Sequence, residues 1–229
     1  MTIASELDDV KLYYFDYSRT GGLGEPIKML LEDFEVKHEY IQLQRNEEEW
    51  DNDMKKKLVA CKEKPFNSLP LLETKDGKRF FCSGPILRFI AKKIGMLDDL
   101  NDEEIQLIDA VQDVSYDWYG SFAFHVVRPI VFPENQKEYL DTLAPGHASR
   151  IDRLYTIHDG PYILGSKISY ADYMVYHTID DHRPILGDFK TYPNLTKFIQ
   201  AFEERPIMKT YLASLPKKEF PCVPPKEKE

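Results

Sequence analysis

The stretch from Asn67 to Ile86 limits the possible folds more than any other. It reads Asn67-Ser68-Leu69-Pro70-Leu71-Leu72, then Asp76-Gly77, then Phe81-Cys82-Ser83-Gly84-Pro85-Ile86. Pro70 has no backbone N–H for a sheet ladder, so it stands at the start of a strand, here Leu69 to Glu73. Asp76-Gly77 is a two-residue hairpin signal, and Arg79 to Phe81 is the returning strand. Ser83 then caps a helix whose apolar positions Ile86, Leu87, Ile90 and Ile94 fall on one face. A strand, a tight reversal, a second strand and a capped helix in so short a span require a sheet with a helix packed against it.

The residues upstream extend that sheet. Val10 to Phe15 is β-branched and aromatic and reads as a first strand. Asp16 to Gly24 is a glycine-containing loop, and Glu25-Pro26 opens a helix with Ile27, Leu30, Leu31 and Phe34 as its apolar face. His38 to Leu43 alternates as a second strand. Asn46 to Lys64 is charged, contains Trp50 and Lys55-Lys56-Lys57, and reads as an exposed helix plus loop. The order β-α-β-α-β-β-α predicts a parallel crossover joined to an antiparallel hairpin, hence a mixed sheet.

Beyond Leu97 the pattern changes. Asp98, Asp99, Asn101 and Asp102 form a polar joint, and helical patterns follow at about 103–124, 134–158, 170–181 and 193–204, with no convincing strand. The expected domains are residues 10–96, α/β with a mixed sheet, and residues 103–220, all-α. Within the second, Ser169 and Asp172 form a capping box flanked by Ile168 and Tyr173 as a staple, which marks a helix start and not chemistry. Pro216 to Glu229 is proline-rich and charged and is expected to be extended.

The 229 residues carry a net charge of −9, and nearly all of it lies beyond Met96. So acidic a half disfavours nucleic acid or an anionic membrane as partner, and no apolar run reaches the roughly 20 residues that span a bilayer. Glu6, Asp8 and Asp9 stand where a secretory signal needs a basic start, so the expected location is the cytoplasm. Cys61, Cys82 and Cys222 are odd in number and widely spaced, against a disulfide framework or zinc site. His177 and His182 are five apart on a helix, do not converge, and read as surface or core-edge residues.

Several runs together resemble the cytosolic glutathione transferases, in particular the tyrosine-type sigma and mu branches. They are K-L-Y-Y-F at 11–15, G-E-P-I-K-M-L-L at 24–31, Trp50, S-L-P-L-L at 68–72, C-S-G-P-I-L-R-F-I-A at 82–91 and G-S-K-I-S-Y-A-D at 165–172. The resemblance implies a thioredoxin-like N-terminal domain, a helical-bundle C-terminal domain and a homodimer. It implies glutathione as co-substrate, no metal, and attack of the glutathione thiolate on a small hydrophobic electrophile. A glutathione-dependent prostaglandin isomerase, and a non-catalytic structural or binding protein on the same fold, are the alternatives.

The resemblance also assigns roles. Tyr14 is the catalytic residue, its phenol donating a hydrogen bond to sulfur. A thiol with a pKa of about 8.5 is mostly protonated at neutral pH. One hydrogen bond to the charged form, roughly 1.5–3 kcal/mol, lowers that pKa by about one to two units. Ser83 binds the γ-glutamyl carboxylate; Cys82, counted with it among the glutathione-binding residues, departs from the family's usual glutamine or glutamate and reads as a spacer rather than a nucleophile. Leu69 and Pro70, at a cis-proline bend, offer backbone groups to the cysteinyl unit. Trp50 and one of Lys55 to Lys57, taken as Lys55, grip the glycyl carboxylate, the bland alternative being a solvated helix face. Asp113 reaches the glutathione amino group in the partner subunit, with Asp109 as competitor. Leu23, Tyr116, Tyr119 and Phe220 are placed in the second-substrate pocket, the alternative for the aromatics being helical core. Arg19 lies in a loop longer than the family's.

Overall fold

A computed structural model describes residues 5–16, 22–44, 46–60, 68–127 and 133–215. The chain forms two compact units, Met1–Leu100 and Asn101–Glu229. The positions of Arg19, Cys61, Cys222, Phe220 and the 216–229 tail lie outside the described residues.

The first unit holds a four-stranded sheet in the order β2-β1-β3-β4. Strand β1 (Val10–Phe15) runs parallel to β2 (His38–Leu43) and antiparallel to β3 (Leu71–Glu73), which pairs antiparallel with β4 (Arg79–Phe81). Helix α1 (Glu25–Asp33) makes the crossover, and α3 (Ser83–Lys93) follows β4. Alternation along β1 divides the core. Val10, Leu12 and Tyr14 are buried on one face. Tyr13 and Phe15, on the other, pack against a cluster of Trp50, Leu58, Leu71 and Phe81. Burial, and then the neighbouring Glu73 carboxylate, push the Tyr13 phenol upward in pKa.

Two expectations in this unit are corrected. Strand β3 starts at Leu71 rather than Leu69, because Pro70 has no amide for the ladder; the Leu69–Pro70 bond is cis. The hairpin loop is also longer than two residues. Gly77 N–H donates to Thr74 O at 2.8 Å, and Thr74 N–H to Lys78 O at 2.9 Å. Gly77 alone takes positive φ, +80°. A primed two-residue turn needs positive φ at both central residues, whereas a three-residue loop ends on one left-handed glycine.

Between β2 and the hairpin, residues Glu47–Met54 form wide helical turns that continue as α2 (Lys55–Val59). The Asn46 side chain caps them by accepting from Glu49 N–H at 2.8 Å.

The second unit is helical: α4 (Asp102–Phe122), α5 (Pro133–Glu138), α6 (Ala144–Leu154), α7 (Tyr170–Leu186), α8 (Pro193–Glu203) and α9 (Pro206–Ser214). The single helix expected over 134–158 is two, joined by wide turns at Tyr139–Leu143 that end just before Pro145, whose missing amide interrupts the ladder. Helix α7 runs five residues beyond the expected 181, carrying Pro184 in its last turn and ending at Gly187, φ +72°. Helix α9 has only Met208 and Tyr211 buried, too sparse a pattern to register as amphipathic.

The reading of His177 and His182 as surface or core-edge residues is overturned. They are 1% and 0% exposed, because α7 is enclosed on nearly every side. His182 Nδ1 bonds the Thr178 carbonyl at 2.6 Å, so it carries the hydrogen, and Nε2 accepts from the Tyr139 hydroxyl at 2.5 Å. His177 faces Asp181 at 3.6 Å.

The start of α7 is the polar anchor of this unit. Asp172 is fully buried. Its carboxylate accepts from Ser169 N–H at 2.7 Å, Ser169 Oγ at 2.8 Å, the Tyr155 hydroxyl at 2.7 Å and Ile163 N–H at 3.2 Å. The sequence places the Ser169 contact but not the two distant donors. Replacing Asp172 with alanine strands all four buried donors. Urea denaturation of Asp172→Ala is expected to show a loss of about 3 kcal/mol or more.

Candidate active site

The strand register gathers the site. Phe15 lies opposite Leu43 at the ends of β1 and β2. Tyr13 lies opposite Leu71, and Leu71 opposite Phe81. The end of β1, the start of β3 and the end of β4 therefore share one edge of the sheet. Tyr14, Leu69-Pro70 and Cys82-Ser83 emerge there from three separate stretches of sequence.

Tyr14 is 6% exposed, so its ring is held by the core while its hydroxyl meets the following loop. Leu23 N–H donates to that hydroxyl at 2.9 Å. Accepting an amide hydrogen bond polarises the phenol and strengthens the O–H as a donor. The short helical turn Gly22–Gly24 makes this approach possible. Gly22 has φ +53°, and a Cβ at Gly24 would stand 2.6 Å from Tyr14 Cγ. These glycines do more than punctuate a loop, and Leu23 is more than the pocket side chain expected of it. The Leu23 contribution seen here is its backbone amide.

Ser83 is not the cap it was expected to be. Ile86 N–H bonds the Cys82 carbonyl at 3.0 Å, so the helix begins one residue earlier. Cys82 takes the cap position at φ +67° without a side-chain cap bond, and Ser83 falls inside the first turn. There its hydroxyl is buried, at 2% exposure, with no hydrogen-bond partner among the described residues. A buried hydroxyl left unpaired is costly. Set among the first amides of a helix, which lack intrahelical acceptors, it suits an incoming carboxylate.

Trp50 is 9% exposed and packs edge-on against Phe15, ring centroids 4.8 Å apart. The lysines beside it are engaged on their own helix: Lys55 with Asp51 at 3.1 Å, Lys56 with Asn52 at 3.0 Å and Lys57 with Asp53 at 2.6 Å. In the helical unit Asp113 is exposed, whereas Asp109 accepts from the Tyr170 hydroxyl. Tyr116 is 47% exposed. Tyr119 is half-buried, with its ring against Phe122 and His177.

Proteins similar to this chain are known. A family model described as Glutathione S-transferase, C-terminal domain, matches residues 123–215. A Caenorhabditis elegans protein named Glutathione S-transferase P is 32% identical over 206 residues, covering 89% of this chain and 91% of that one. The chain belongs to the glutathione S-transferases. Among solved structures, the Pi-class glutathione S-transferase of Onchocerca volvulus superposes with a TM-score of 0.73 at 28% identity, covering 90% of this chain and 92% of its own. The prostaglandin synthase D of Nilaparvata lugens shares the fold at 24% identity and a TM-score of 0.73, over 91% and 98% of the two chains. Where the motifs resemble sigma and mu enzymes, these relatives also bring in the Pi class by name.

In this transferase the close fit of Gly24 to Tyr14 has a measurable result. Gly24→Ala is expected to displace the ring and break the Leu23 bond. Amide hydrogen exchange at Leu23 then speeds up by about ten-fold or more, while the protein stays folded with a stability loss of about 1–3 kcal/mol.

Proposed function

We propose that the protein joins the sulfur of glutathione to small, apolar electrophiles, with Tyr14 stabilising the thiolate. The observation that carries this is the Tyr14 hydroxyl, fixed by the Leu23 amide at 2.9 Å, on the sheet edge that also holds the unpaired Ser83 hydroxyl. In this reading Ser83 and the first turn of α3 hold the γ-glutamyl carboxylate, and the backbone at Leu69-Pro70 meets the cysteinyl unit. The Tyr14 O–H donates to sulfur, so the thiol proton leaves to solvent. The sulfur lone pair then forms the new S–C bond as the leaving group, or the π-electrons of an activated alkene, depart from that carbon. Catalysis is electrostatic stabilisation plus positioning, and no metal enters it.

Trp50 and Lys55 are assigned to the glycyl end, Lys55 by exchanging Asp51 for the ligand. Tyr116 and Tyr119, on α4 of the helical domain at residues 103–220, are assigned to the apolar part of the electrophile. The enzyme is read as a cytoplasmic homodimer in which Asp113 reaches the glutathione amino group of a second copy. Its acidic charge, −9 overall, supports a small-molecule substrate over nucleic acid or an anionic membrane.

Thiolate absorbance of bound glutathione, titrated against pH, tests this. Tyr14→Phe is expected to raise the thiol pKa by about one to two units, so the mutant's conjugation of an activated aryl halide falls most at neutral pH and recovers as pH rises. Ser83→Ala is expected to weaken glutathione binding about ten-fold. Absence of glutathione binding, or a Tyr14→Phe enzyme as fast as the parent, would sink the reading.

A further inference from the structure

On the glutathione reading above, the residue in which the chain departs from the family it resembles, Cys82, stands beside the conjugation site. Cys82 is a free, exposed cysteine. It joins β4 to α3 with φ +67°, a backbone conformation that residues with side chains rarely adopt. The next residue supplies an independent sign of a ligand. The Ser83 hydroxyl is 2% exposed and without a partner, at the first turn of an 11-residue helix. A reactive group and a carboxylate receptor are thus consecutive in the chain.

We propose that Cys82 is a modification site. It exchanges with glutathione disulfide to give a mixed disulfide, and the attached glutathionyl group closes the conjugation site to free glutathione. The Cys82 thiol loses its proton to solvent, and the thiolate attacks one sulfur of the disulfide. A bond forms between Cys82 Sγ and that sulfur. The original S–S bond breaks, and its electron pair leaves with the second glutathione, which takes up a proton. Cys82 is oxidised and one half of the disulfide is reduced, so no further oxidant is needed. Excess glutathione reverses the exchange by the same route. Ser83 makes the reaction selective, since it holds a carboxylate of the incoming disulfide and raises its local concentration beside Cys82.

The test uses the full-length protein. Glutathione binding to the reduced protein is measured first by calorimetry. The protein is then treated with glutathione disulfide or with the neutral hydroxyethyl disulfide, and adducts are assigned by peptide mapping, which separates Cys82 from Cys61 and Cys222. Cys82 is expected to react about ten-fold or more faster with glutathione disulfide, the gain from one charge-assisted hydrogen bond. Ser83→Ala is expected to abolish that preference. Conjugation by the adduct should fall to about a tenth or less and return with dithiothreitol, whereas Cys82→Ser keeps its own untreated rate through the same treatment. Equal rates with the two disulfides, no adduct at Cys82, or an adduct with full activity would each overturn the proposal while leaving the transferase reading intact. Failure of the reduced protein to bind glutathione would overturn that reading, and this proposal with it.

Discussion

Strand β1 is hydrogen-bonded along both edges, parallel to β2 and antiparallel to β3, and this double pairing sets the geometry of the first unit. A side chain on β1 has only two directions to point. Val10, Leu12 and Tyr14 enter one layer of core, while Tyr13 and Phe15 enter the layer built on Trp50, Leu71 and Phe81. A slip of one residue would exchange the layers and put Tyr13 where Tyr14 stands. The same register brings the start of β3 and the end of β4 to the end of β1. A site made from residues far apart in sequence thereby acquires fixed geometry without a long ordered loop.

Much of this was legible in the residues. Strands β1, β2 and β4 were readable because β-branched and aromatic residues alternate between clear turn signals. Tyr14 and Ser83 were singled out through the family resemblance, and Pro70's place just before β3 through its missing amide. The remainder depends on contacts that periodicity does not encode. The Leu23 amide reaches the Tyr14 hydroxyl nine residues back, and Gly24 matters because of the ring it touches. Both facts belong to the packed structure. Likewise α9 buries too few residues to show a face, and His182 is buried because Tyr139, 43 residues away, supplies its hydrogen-bond partner. Polar residues looked like surface wherever their partners were distant.

The two units solve the burial of polar groups in opposite ways. Asp172 is saturated with donors from its own helix start and from Tyr155 and Ile163. A carboxylate so fully engaged rigidifies the α7 start and has no capacity for a ligand. Ser83 is equally buried but without a partner, so its desolvation penalty persists until something binds. One polar group is satisfied within the resting fold, and the other is not.

The lysines on the Glu47–Val59 segment invert this logic. Each of Lys55, Lys56 and Lys57 already holds a group four residues earlier on the same helix. An anion arriving there displaces an existing ion pair or hydrogen bond, so the net gain is a difference between two similar, solvent-screened contacts. Affinity at the lysine row is consequently small and easily weakened by salt. The row can therefore add little to the hold on any anion, in contrast to Ser83, whose hydroxyl has no competing partner among the described residues.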